Sequence, residues 1–210
     1  MTAYWDDKFL EMWNDLCARR QIIAAEERAL PPEDWEAGVL QGVVEYEGRL
    51  IEIEEKELLG GQASLRLPRS MQLMPRGIGA RGQVLRGHEQ AVFTNEDSSV
   101  MFGLSLMTHR LQLNDLEALQ SAMTVQAKKL RSDVQLVRED IIERNGGKMV
   151  CCEYVIPTPL SMYYQMMFAT SWQGRAIWGS FHFDATEALL WQPLSHALIR
   201  SLRFHDLVQQ

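Results

Sequence analysis

The side chains best suited to chemistry lie in a stretch rich in glycine and arginine. Residues 77–82 match the G-x-G-x-x-G spacing of dinucleotide-binding loops. That chemistry requires a strand before the loop and a helix that opens at its last glycine, so that backbone N–H groups face phosphate. Pro75 and Arg76 precede the motif here and Gly87 follows it closely, so neither element can form. We therefore expect a surface loop and no nucleotide site.

The same loop concentrates positive charge. A mobile guanidinium cluster can hold an anion or dock on an acidic protein surface, because each guanidinium presents several N–H donors. A solvated charged loop is the simpler interpretation, and we favour it. Anion binding stays open as the alternative function. Its candidate residues are Arg76, Arg81, Arg86 and His88.

The remaining reactive side chains form no recognisable motif. The five histidines are scattered and show no H-x-x-x-H, H-E-x-x-H or Cys/His spacing. Cys151 and Cys152 are adjacent, point to opposite faces of a strand, and are best explained by burial. We therefore predict no catalytic residue, no cofactor and no metal site.

Composition narrows the class of protein. The 210 residues carry a net charge of −7, which gives no global attraction to nucleic acid or to an anionic membrane. No apolar stretch approaches the ~18 residues of a membrane helix, and the start of the chain does not resemble a signal peptide. Three cysteines do not make a disulfide framework. These features predict a cytoplasmic protein with no membrane insertion.

The charge is unevenly distributed along the chain. Residues 1–60 hold fifteen acidic and six basic side chains, whereas residues 61–90 hold five arginines against one glutamate. We place a boundary near Gly60-Gly61, between an N-terminal extension (1–60) and the main domain (61–210). Residues 4–28 form the pattern of an amphipathic helix. Its apolar stripe consists of Trp5, Phe9, Met12, Trp13 and Leu16.

The order of the predicted elements indicates an α+β fold. A small hairpin is predicted over 43–54, although a helix through 33–46 competes with it. Further strands follow from residue 62, including one hairpin that turns at Asn145-Gly146-Gly147 and another that turns at Gln173-Gly174. A helix over 114–131 should bury Leu116, Leu119, Met123 and Leu130, and a final helix spans 187–203. Consecutive hairpins with inserted helices predict a predominantly antiparallel β-sheet flanked by helices.

Residues 62–205 resemble the PsbP-like superfamily in their order of elements. The resemblance lies in the opening strand 63–68 that ends in Pro68, the middle helix 115–130, and the closing segment 191–202. That superfamily includes photosystem extrinsic proteins, DcrB-like lipoproteins and the Eag chaperones of bacterial secretion. The resemblance implies a binding role, because the Eag chaperones hold apolar segments of their cargo.

One face of the predicted sheet is core, and the opposite face is unusual because it carries few charges. A sheet face in water normally alternates apolar with charged residues. Methionines on such a face can repack around varied apolar partners. The candidate partner-binding residues are Met101, Met107, Met149, Tyr163, Met167 and Trp178.

Protein is expected to cover this face, either the helix over 4–28 or a second copy of the chain. Burial of five large side chains contributes on the order of 10 kcal/mol before the entropy of ordering is subtracted. An ordinary core under a helix of the same chain is the plainer alternative. The sequence therefore predicts a non-enzymatic bacterial binding or adaptor protein whose partner is another protein or its own copy.

Overall fold

The computed structural model describes residues 32–74, 89–144, 147–158 and 161–205. The helix predicted over 4–28 and the loop 75–88 lie outside the described residues. The described helices are α1 (Pro32–Gln41), α2 (Leu116–Leu130) and α3 (Ala188–Arg200). The described strands are β1 (Val43–Tyr46), β2 (Arg49–Leu58), β3 (Ala63–Pro68), β4 (Gln72–Leu73), β5 (Glu89–Thr94), β6 (Met101–Arg110), β7 (Gln135–Arg144), β8 (Gly147–Pro157), β9 (Met162–Trp172), β10 (Arg175–Asp184) and β11 (Arg203–Phe204).

The strands form two antiparallel sheets where the sequence predicted one. The larger sheet has seven strands in the order β4-β5-β6-β10-β9-β8-β7, and the smaller has four in the order β1-β2-β3-β11. Every strand pairing is antiparallel, and most connect neighbours in the chain. The predicted fold class, a predominantly antiparallel α+β protein flanked by helices, is confirmed.

Two of the predicted hairpins close through two-residue turns. Glu47 and Gly48 both have positive φ, 49° and 74°, and join β1 to β2. Gln173 and Gly174 do the same between β9 and β10, with φ of 49° and 71°. This geometry matches the right-handed twist of the paired strands, and a glycine at the second position adopts it without a Cβ clash. The turn at residues 145–146 lies outside the described residues, but β7 and β8 pair as predicted.

The sequence predicted either a hairpin over 43–54 or a helix through 33–46. Both are present: α1 ends at Gln41, and Gly42 with φ of 91° turns the chain into β1. The Gly42 N–H donates to the Gly38 carbonyl at 3.0 Å, which satisfies one of the free carbonyls at the end of the helix.

The boundary expected near Gly60-Gly61 falls between two paired strands. β2 pairs with β3 in register from Ile53 with Pro68 to Leu58 with Ala63. Trp35 on α1 and Val44 on β1 belong to the same buried cluster as the larger sheet. The described part of the predicted extension, residues 32–60, therefore contributes to the same buried core as the larger sheet.

The main core fills the space between the larger sheet, the smaller sheet, α1 and α3. Its centre is aromatic: the Phe102 ring lies 4.8 Å from that of Phe181 and 6.4 Å from that of Phe168. Leu194 and Leu198 of α3 are fully buried against these strands. The residues predicted as core on β6 and β9 lie on this face of the sheet. They are Phe102, Leu104, Leu106, Tyr164, Met166 and Phe168.

A second, smaller core lies on the opposite face of the larger sheet, beneath α2. Leu116 and Met123 are buried there as predicted, against Val150 and Cys152 of β8. Leu119 is only partly buried. The prediction for Leu130 was wrong: 72% of its surface is exposed, because it is the last residue of α2, beyond the part that packs on β8 and β9.

Replacement of Gly179 should break the main core. A Cβ at this position would lie 2.0 Å from the Phe168 ring, which is enclosed by other core side chains. We expect Gly179→Ala to lower the free energy of unfolding by about 3 kcal/mol, measured by urea denaturation. Gly103→Ala is the control, because its Cβ meets only the Ser180 hydroxyl at 3.8 Å. Equal stability of both variants would contradict this packing.

The two ends of α2 should respond differently to a charge. Met123→Asp places a carboxylate in the second core and should lower the free energy of unfolding by about 3 kcal/mol. Leu130→Asp should change it by less than about 0.5 kcal/mol. Urea denaturation of both variants checks the orientation of the helix, and a larger loss in Leu130→Asp would show that the helix face is misassigned.

Candidate functional site

The second face of the larger sheet, opposite the main core, is the first candidate site. Strand register aligns Val92 with Gly103, Gly103 with Ser180, and Ser180 with Met167 across four strands. We call the part of this face on β5, β6 and β10, with Met167 of β9, the open face. Each of the following side chains, or the glycine backbone, is partly exposed: Val92, Met101, Gly103, Met107, Met167, Trp178, Ser180 and His182.

Helix α2 covers only one half of this second face. It packs on β8 and β9, where Val150, Cys152 and Ala169 are fully buried. Of the three described helices, α1 and α3 pack on the other side of the sheet or on each other. Within the described part of the chain, the open face therefore has no helix of its own. Met107 and Trp178 lie at the margin of the second core, beside α2.

The eight positions named above carry no charged side chain, and their one titratable group is held neutral. Asp184 lies on the same face, but at the end of β10, beside Tyr163. Burial lowers the pKa of His182 to about 4, because a charged imidazolium loses hydration there. His182 Nε2 and the Ser180 hydroxyl lie 3.0 Å apart and satisfy each other. At neutral pH the open face is therefore an uncharged surface of methionine, tryptophan and small residues.

The structure brings together four of the six predicted partner-binding residues. Met101, Met107, Met167 and Trp178 share the second face, as the alternation of their strands predicted. Tyr163 also belongs to that face but lies at the end of β9, beside Asp184 and 41% exposed. The anion-binding alternative, Arg76, Arg81, Arg86 and His88, lies outside the described residues.

The placement of Met149 on this face was wrong. It is fully buried in the main core, paired with Ile142 and Thr170. Cys151 follows it onto the same face, whereas Val150 and Cys152 face α2. Both faces of β8 are buried, so its apolar sequence contains no polar alternation from which the orientation could be predicted.

A buried polar cluster is the second candidate site. Glu153 of β8 is completely buried on the main-core face, between β9 and α3. The Tyr164 hydroxyl donates to its Oε2, and Gln192 Nε2 donates to the same oxygen at 3.2 Å. His196 Nε2 lies 2.7 Å from Oε1. Oε2 therefore accepts two hydrogen bonds, and Oε1 has one partner, His196.

These partners determine the ionisation of Glu153. Burial alone would raise the pKa of its carboxyl, but the hydrogen bonds and the charge of His196, with those of Tyr164 and Gln192, lower it overall. Burial raises the pKa of the neighbouring Cys151 thiol well above its ordinary range, and the Glu153 carboxylate raises it further. The charge of Arg138 lowers the pKa of Cys151 but does not offset these effects, so Cys151 is a neutral thiol and no nucleophile.

Sequence reasoning did not find this cluster. His196 belongs to none of the short metal-binding motifs, and Glu153 lies in a strand that otherwise reads as apolar. One signal was present: Glu153 is the only charged residue in the apolar run from Met149 to Ile156. A charge in the centre of a strand buried on both faces requires a partner, but the sequence does not show that the partner lies on α3, more than forty residues later.

The sequence matches no protein-family model and has no significant match among curated proteins. The fold is similar to the solution structure of the cyanobacterial PsbP protein CyanoP from Synechocystis, with a TM-score of 0.56 and 9% sequence identity. The similarity covers 77% of this chain and 98% of that one. The protein therefore has a PsbP-like α+β fold, as the order of its elements predicted.

Two further solved structures match less well. A crystal structure of a protein from Bacteroides thetaiotaomicron has a TM-score of 0.49 at 11% identity, over 75% of this chain and 50% of that one. LpqN, involved in cell envelope biogenesis of Mycobacterium tuberculosis, has a TM-score of 0.39 at 10% identity, over 73% of this chain and 92% of that one. With TM-scores below 0.5, these two similarities add nothing to the fold that CyanoP indicates. No helix among the described residues is long and apolar enough to span a membrane.

His182 should make the fold sensitive to acid. Its pKa of about 4 lies below the value of about 6.5 in the unfolded chain, so stability is complete above pH 6.5 and falls as the pH decreases toward 4. This loss amounts to at most about 3 kcal/mol. His182→Gln should flatten the dependence of the urea midpoint on pH between 6.5 and 4, whereas His109→Gln on exposed sheet surface should not. An unchanged slope in His182→Gln would contradict the burial of this ring.

Proposed function

We propose that this protein is a non-enzymatic binding protein that holds an amphipathic helix of a protein partner on its open face. The observation that supports this most is the absence of charge from Val92, Met101, Gly103 and the other named positions of the open face, a surface that none of the described helices covers. Water in contact with such a surface is unfavourable, and apolar patches of this kind are typical of protein interaction sites. We infer a helix as the bound element because the width of the open face matches that of one α-helix.

The width of the open face fits one helix. Neighbouring strands lie about 4.8 Å apart, so β5, β6 and β10 span about 10 Å between the outer strands. An α-helix with its side chains is about 10 Å across. A helix on these strands would lie beside α2, which already occupies β8 and β9. The partner would complete the layer that α2 begins.

The chemistry of the open face favours an apolar helix of variable sequence. Met101, Met107 and Met167 have flexible, polarisable side chains that adapt to different partner surfaces. Gly103 leaves a depression at the centre, since nothing but the Ser180 hydroxyl lies within 4 Å of the position of its missing Cβ. A large apolar side chain of the partner would fill this depression.

The cellular location belongs to the same proposal. The described cysteines, Cys151 and Cys152, are free thiols that lie on opposite faces of β8, so they cannot pair with each other. Free buried thiols are common in a reducing compartment. We propose the cytoplasm as the place where the partner is bound.

A photo-crosslinking residue in place of Met101 tests the proposal in the full-length chain. We expect crosslinks in cells to an apolar helical segment of another protein, mapped at the peptide level. The additional change Gly103→Glu places a charge at the centre of the open face and should reduce this crosslink at least about tenfold, because an unpaired charge is costly in an apolar interface.

The matched control carries the crosslinker at Val125, an exposed apolar residue on the far side of α2. It should give no crosslink to the same segment, and Val125→Glu should leave the Met101 crosslink unchanged. Crosslinks from Met101 only to residues 1–31 of the same chain would contradict the proposal and show that the protein covers its own face. Crosslinks only to a second copy would contradict it in favour of a homodimer.

A further inference from the structure

Cys151, Glu153 and His196 form a compact group of metal-binding side chains on the main-core side of the larger sheet. Cys151 and Glu153 are two residues apart on β8 and therefore point to the same face. His196 approaches them from α3. One ligand atom from each residue, sulfur, oxygen and nitrogen, lies within 4.8 Å of the other two. We propose that these three side chains bind a divalent transition-metal ion of the Zn²⁺ type.

The distances require only small side-chain adjustments. In a tetrahedral zinc site, the metal lies about 2.3 Å from sulfur and about 2.0 Å from nitrogen or oxygen, so the ligand atoms are about 3.3 to 3.5 Å apart. His196 Nε2 and Glu153 Oε1, now 2.7 Å apart, would separate slightly to admit the ion. The Cys151 sulfur would move inward from its present distance of at most 4.8 Å.

The charges balance in the bound state. One thiolate, one carboxylate and one neutral imidazole together neutralise a divalent cation, so the site adds no net charge to the core. A bound cation would also reverse the ionisation of Cys151, because it stabilises the thiolate that burial and Glu153 now disfavour. The neighbouring side chains on β7, Arg138 and Asp140, pair with each other at 3.1 Å and so offset one another's charge.

The surroundings of the site already orient one ligand. Tyr164 and Gln192 both donate to Glu153 Oε2, which leaves Oε1 directed toward His196. Such hydrogen bonds to a ligand carboxylate are the usual second layer of a metal site and increase its affinity. The side chain of His196 keeps 15% of its surface exposed, whereas Glu153 and Cys151 are completely buried, so His196 is the ligand nearest to solvent.

The mixed ligand set indicates the kind of metal. Sulfur and imidazole nitrogen favour Zn²⁺, and its substitute Co²⁺, over Mg²⁺ or Ca²⁺, which prefer oxygen alone. Three protein ligands leave one tetrahedral position for a water molecule or a fourth donor.

Cobalt spectroscopy of the full-length protein tests the proposal. Co²⁺ added to the purified chain should produce the near-ultraviolet charge-transfer band of a cobalt–thiolate bond, and Zn²⁺ should displace it. Cys151→Ser should abolish the band. Cys152→Ser is the matched control: its sulfur faces α2, 3.9 Å from the Thr124 hydroxyl, and the band should persist. Cys17→Ser should also leave it unchanged.

A second variant, His196→Gln, separates loss of metal binding from loss of folding. His196→Gln keeps a donor that can reach Glu153 but removes the imidazole ligand, and it should weaken Zn²⁺ binding at least about tenfold in calorimetry while circular dichroism stays unchanged. The proposal is overturned if wild-type protein shows no thiolate band, if the band survives Cys151→Ser, or if folded His196→Gln binds Zn²⁺ as tightly as wild type.

Discussion

Burial of both faces of one seven-stranded sheet is the constraint on which the structure depends. The strands β8 and β9 have no solvent face: the main core lies on one side and the second core beneath α2 on the other. The smaller sheet, α1 and α3 cover one face of the larger sheet, and α2 covers part of the other face. The strands β5, β6 and β10 carry uncharged side chains on the second face except at the Asp184 end of β10, but none of the described helices lies on them. The proposed function follows from this incomplete layer.

Because both faces of β8 are buried, the ionised Glu153 side chain has a large desolvation cost. A carboxylate on a strand buried on both sides loses its hydration, and only complete hydrogen bonding makes it tolerable. The partners come from β9 and α3, namely Tyr164, Gln192 and His196. Replacing Glu153 by an apolar residue would remove this cost, and the proposed metal site would give the polar cluster a role that an apolar residue could not fill.

Much of the fold could be predicted from local signals. Turn residues such as Gly48 and Gly174, with positive φ, marked the hairpins, and the stripe of Leu116 and Met123 marked α2. Alternation also placed Met101 and Trp178 on the second face. The division into two sheets could not be predicted, because β11 pairs with β3 only after the chain has passed through the whole larger sheet.

The candidate sites were harder to predict for a physical reason. The orientation of Met149 was wrong because β8 is apolar on both sides, so no polar residue distinguishes one face from the other. The cluster around Glu153 joins residues far apart in sequence, and short motifs cannot show such a contact. The exposed end of α2 at Leu130 depends on where the sheet beneath it ends, which is likewise a property of the assembled fold.

The central claim is that the open face is available to a partner in the isolated protein. Solvent paramagnetic relaxation of the methionine methyl groups in the full-length chain measures this directly. We expect strong relaxation at Met101, Met107 and Met167, and little at Met149 and Met166, which are fully buried. If Met101 and Met107 are protected to the same degree as Met149 in purified monomeric protein, the chain itself covers this face and the account of partner binding is wrong.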